Sequence, residues 1–95
     1  MNIPINYTIP ELEEDILNRK INSTIRTKGF IKRFDIKIGS IVDIKFYRRK
    51  IGLAEVIDIH KLTYEELKDE RFLKKHGFKN KVYTREIYLI KFKWI

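Results

Sequence analysis

Thr24 and Arg26 stand two residues apart in the stretch Ser23-Thr24-Ile25-Arg26. If that stretch is a β-strand, both side chains leave the same face. Arg19 and Lys20 lie just before them. A hydroxyl, a guanidinium and an ammonium at one helix-to-strand junction would form a compact anion-binding corner. Lys28 and Arg33, interleaved with Phe30 and Phe34, could add phosphate contacts and base stacking. Arg48, Arg49 and Lys50 form a second basic cluster.

Elements that would position these groups can be read from periodicity. Leu12, Ile16 and Leu17 share one helical face. Pro10 suits a first helical turn, and Glu11, Glu13, Glu14 and Asp15 suit the positive end of the helix dipole. The pattern predicts a helix over about 10–19. Short strands are expected at 3–9, broken by Pro4, and at 24–27. The spacing in 28–38 fits neither helix nor strand, which predicts a long, partly ordered loop.

Val42, Ile44 and Phe46 alternate with polar residues and predict a half-buried strand over 41–47. Arg48-Arg49-Lys50 would be the hairpin tip and 51–59 the returning strand. On that strand Leu53, Ile57 and Ile59 are expected on one face and Ala54, Val56 and His60 on the other. Thr63-Tyr64-Glu65-Glu66 is a capping box opening a second helix, with a break near Asp69 and a stop at Gly77. Residues 86–95 are the last expected strand, with Tyr88, Ile90, Phe92 and Trp94 on one face. The expected fold is one α+β domain over 1–95, a small mixed β-barrel of about five strands with two helices.

Composition bounds the function. Ninety-five residues support one core. There is no cysteine, which excludes disulfides and thiolate chemistry. Two histidines, His60 and His76, are too few for a His-rich metal site, so no metal and no cofactor is expected. No apolar run reaches the roughly 20 residues of a membrane span, and a cytoplasmic protein is expected. Enrichment in lysine, with glutamine absent, fits a heat-adapted (thermophile) source.

The net charge is +8 and it is unevenly placed. Residues 1–18 carry four acids and no bases, whereas 19–50 carry eleven bases and two acids. Residues 51–70 carry six acids against two bases, and 71–95 eight bases against one acid. Two basic blocks separated by acidic helices predict a one-sided positive surface, as a polyanion binder needs.

In order along the chain, several short motifs resemble the ASCH family of the PUA-like superfamily. They are Asp15-Ile16-Leu17, Thr24-Ile25-Arg26, Gly39-Ser40 and Ile51-Gly52-Leu53-Ala54-Glu55-Val56. They continue with Leu62-Thr63-Tyr64-Glu65-Glu66-Leu67, His76-Gly77-Phe78 and Tyr88-Leu89-Ile90-Lys91-Phe92. The resemblance implies a PUA-like barrel whose cleft beside the first helix takes RNA or a nucleotide. It also covers small members that are acetylcytidine amidohydrolases. Those use a lysine five residues before the motif arginine, a threonine two before it and a downstream glutamate.

Here Thr24 and Arg26 match, but Ile21 fills the lysine position, and Lys75 or His76 stands near that of the acid. A threonine nucleophile needs a base within about 2.6–3.2 Å. The expectation is therefore a binding cleft without the amidase chemistry. Lys20, Thr24, Arg26, Lys28, Arg33, Arg48 and Arg49 would hold RNA or a nucleotide. The alternative is a hydrolase acting on a modified nucleoside or RNA, using Thr24 with Lys20 and Glu70. The protein is expected to be a monomer or weak homodimer.

Overall fold

The computed structural model describes residues 2–76 and 86–95. Five strands form one sheet: β1 (Ile3–Tyr7), β2 (Ser23–Thr27), β3 (Ile41–Phe46), β4 (Arg49–Lys61) and β5 (Ile87–Trp94). Their spatial order is β1-β3-β4-β5-β2. β1 runs parallel to β3, and every other neighbouring pair is antiparallel. The sheet curls into a half-barrel, the small mixed α+β architecture predicted from the sequence. Pro4 does not break β1, because an edge strand tolerates a missing N–H.

Curling puts the two sheet edges, β1 and β2, beside each other. No backbone hydrogen bond joins them among the described residues. Side chains close this seam instead. The Tyr7 hydroxyl donates to the Ser23 carbonyl at 2.6 Å, and Arg26 Nη2 donates to the Asn6 carbonyl at 3.2 Å.

The concave face holds the main core, built from Ile5, Tyr7, Val42, Ile44, Val56, Ile90 and Phe92 among others. A second cluster on the convex face joins Ile25, Ile87 and Leu89 to Leu62 and Leu73. Strand β2 therefore buries Ile25 outward and Thr24 inward, as period-two alternation requires.

β4 departs from the expected face pattern. Its register against β5 shifts between Val56 and Asp58, and the extra residue is Ile57. Ala54 and Val56 face the core, and after this β-bulge Ile59 packs against it too, while Ile57 is left 47% exposed. One inserted residue reverses face parity, so Ile57 and Ile59 do not share a side. The hairpin tip is also shifted. Tyr47 (φ 47°) and Arg48 (φ 68°) make the turn, while Arg49 and Lys50 already pair with Phe46 and Lys45.

Among the described residues four short α-helices stand where two were expected. The first helical stretch is a 3-10 turn at Pro10–Leu12 followed by α1 (Glu13–Leu17). Arg19 then takes φ 57° and ends it. The expected loop starts with a helix, α2 (Lys28–Arg33), whose N-cap Thr27 accepts from the Phe30 N–H at 3.2 Å. Gly29 and the lack of acids in its first turn hid it. The capping box of Thr63 and Glu66 forms as expected and opens α3 (Tyr64–Lys68). Asp69 breaks the helix and caps α4 (Glu70–Lys75), accepting from the Arg71 and Phe72 N–H groups at 3.1 Å each. The predicted stop at Gly77 and the Gly77-Phe78 motif lie outside the described residues.

Candidate nucleic-acid interface

Strand β2 brings Thr24 and Arg26 together. Arg26 Nη1 donates to Thr24 Oγ1 at 2.6 Å and to the Ile25 carbonyl at 2.8 Å. With the Asn6 bond, this leaves the Nε–H and one Nη2–H unused among the described residues. The guanidinium carbon sits 5.4 Å from the centroid of the Phe30 ring. Thr24 is fully buried, while Arg26 keeps part of its surface open.

None of the ion pairs among the described residues involves Arg26. Its hydrogen-bond partners among the described residues are all neutral oxygens. Burial pulls the guanidinium pKa below its ordinary value, with Tyr7 opposing. Burial also pushes the Tyr7 phenol far above its usual range, against the Arg26 charge and the Thr24 hydroxyl. Tyr7 is therefore a neutral donor that cannot compensate the positive charge.

Asn6 connects this guanidinium to the hairpin tip. Its backbone carbonyl accepts from Arg26, and its side-chain Oδ1 accepts from the Arg48 N–H at 2.7 Å. Arg48 and Arg49 are exposed there. Lys28 is partly neutralised by Glu86 at 3.1 Å, a half-exposed pair that adds about 0–1 kcal/mol. Arg33 is exposed and stacks 5.3 Å from the Phe34 centroid. Phe30 and Phe34 pack against the core rather than offering open faces.

Lys20 is not brought into this group. It is exposed after α1, and its N–H is tied to the Asp15 carbonyl at 2.8 Å. Glu70 is exposed on α4, whose Leu73 packs on the convex cluster, opposite the face that holds Thr24. The set Thr24, Lys20 and Glu70 is therefore spread over two faces of the sheet. No group of three His, Asp or Glu side chains among the described residues is arranged to hold a metal. No helix of the described residues is long and apolar enough to cross a membrane.

One contact escaped the sequence reading. His76, at the C-terminal end of α4, hydrogen-bonds through Nδ1 to Ser23 Oγ, and its ring meets Phe72 edge-on at 4.6 Å. Desolvation lowers the imidazole pKa, helped by Lys75 and Lys91 and opposed by Glu66. The unfolded chain then binds a proton more readily than the folded one. Stability is expected to hold above about pH 6.5 and to fall as the pH drops below that value. Glu11 and Glu66, whose pKa values lie below 4.5, lose their contribution only at lower pH. Thermal unfolding followed downward from about pH 8 should show this slope, and His76→Asn should flatten it. An equal slope in the variant would refute the assignment.

Comparison with family models, with curated proteins and with solved structures finds no match for this chain.

Proposed function

We propose that this domain binds RNA or a nucleotide through its phosphate, at Arg26 and the hairpin tip of Arg48 and Arg49 that Asn6 links to it. The observation that carries the proposal is the half-buried Arg26 guanidinium, bonded to neutral oxygens and, among the described residues, paired with no carboxylate. A desolvated charge without a partner costs several kcal/mol, and an arriving anion recovers it. A phosphate matches the planar fork of free N–H groups. The ordered motifs around Thr24-Ile25-Arg26 and the curled five-stranded sheet support an ASCH-like, PUA-like reading of the same surface. A cytoplasmic domain, monomeric or weakly dimeric, belongs to this proposal.

Hydrolysis by Thr24 with Lys20 and Glu70 finds no support in the geometry. Thr24 is 0% exposed and its hydroxyl is occupied by Arg26.

Salt dependence tests the proposal. If Arg26, Arg48 and Arg49 each meet a phosphate of a single strand, a roughly fourfold rise in salt should weaken binding about 20-fold. Fluorescence anisotropy with a labelled RNA measures it. No binding to RNA or nucleotides at low salt, or a flat salt response, would refute phosphate recognition.

A further inference from the structure

The tip of the β3–β4 hairpin is built against local preference. A two-residue turn with both central φ angles positive is normally Asn-Gly, since side chains with a bulky Cβ are strained there. This chain places Tyr47 and Arg48 in those positions. Strain kept in place by its surroundings is a pointer to function.

The surroundings do keep it in place. The Tyr47 hydroxyl donates to the Thr8 carbonyl at 2.9 Å, and its backbone N–H donates to the Tyr7 carbonyl at 2.9 Å. Phe46 meets the Tyr47 ring edge-on at 4.8 Å. Asn6 Oδ1 holds the Arg48 N–H. The tyrosine ring is thus tethered at both ends and yet 53% exposed. The exposed Arg48 and Arg49 follow it in the hairpin, and Asn6 links the Arg48 N–H to the Arg26 guanidinium.

A rigid, exposed aromatic face beside phosphate-binding cations is the composition of a base-stacking platform. Resting on the phosphate-binding reading above, we infer that the ligand is a single-stranded nucleic acid. One of its bases stacks on Tyr47, and a neighbouring phosphate meets the Arg26 guanidinium. A duplex keeps its interior bases stacked within the helix and offers Tyr47 a face only at its two ends. The sequence pointed to Phe30 and Phe34 for stacking, but both are turned onto the core, and Tyr47 takes that role here.

The test compares a labelled single-stranded RNA of roughly ten nucleotides with its own duplex. Each is titrated against the intact chain and two variants. Tyr47→Asn keeps a residue at home with positive φ but removes the ring. It should retain or raise Tm, weaken single-strand binding about 10-fold and leave the salt slope unchanged. Tyr47→Phe keeps the ring, loses only the Thr8 bond, and should retain most of the affinity. Single-strand binding unchanged in Tyr47→Asn, or a duplex bound as tightly as the single strand, overturns the stacking inference while leaving phosphate recognition intact. Failure of the unaltered protein to bind either probe at low salt removes both.

Discussion

Arg26→Met is expected to weaken binding of RNA or nucleotides about 30-fold or more while leaving the protein folded. Truncating one side of a desolvated charge pair at an interface costs about 2–5 kcal/mol. Folding answers differently. Replacing a buried charge by an apolar side chain of similar volume is often neutral or stabilising. Here the gain is offset by three lost hydrogen bonds, to Thr24, Ile25 and Asn6, each worth about 0.5–1.5 kcal/mol. The net change in Tm should be a few degrees. Arg26→Lys should fall between, because lysine keeps the charge but not the fork. Anisotropy titrations beside thermal melts read both quantities. Normal binding in Arg26→Met would show that the guanidinium serves only to close the seam.

Tyr7→Phe should produce the second large effect, on stability. Tyr7 is fully buried, and its hydroxyl makes one of the two side-chain bonds that hold β1 to β2. Removing it strands the Ser23 carbonyl, at a cost of about 1–3 kcal/mol. For a domain of this size that lowers Tm by about 5–20 °C. The loss should be local at first. Amide exchange in β1 should accelerate well before that in β3, β4 and β5, whose ladders remain intact. Uniform acceleration over the whole sheet would argue against a clasp at the seam.

Much of the frame was legible along the chain. Alternation in 41–47 and 86–95, the capping box at Thr63, the break near Asp69 and the pairing of Thr24 with Arg26 all follow from local rules. What escaped is equally instructive. α2 depends on Thr27 serving as both the last residue of β2 and a helix cap, and a strand reading of Thr27 conceals the second role. The bulge at Ile57 depends on which residues of β5 lie opposite, and no local pattern contains that. The turn at Tyr47-Arg48 defies its own residue preferences, held by bonds from Asn6, Tyr7 and Thr8 far away in sequence.

Residue order along β2 settles that Thr24 and Arg26 share a face, because a strand alternates whatever lies around it. It likewise settles the unequal spread of charge and the exclusion of thiol chemistry. Whether Arg26 meets an acid was decided only when the sheet curled and brought Asn6 and Tyr7 of the opposite edge against it, with Phe30 above. Those neighbours are apolar or neutral, so no described residue compensates the charge. The desolvation and missing counter-charge on which the proposed site depends arise from contacts between distant segments, which residue spacing along one strand does not encode.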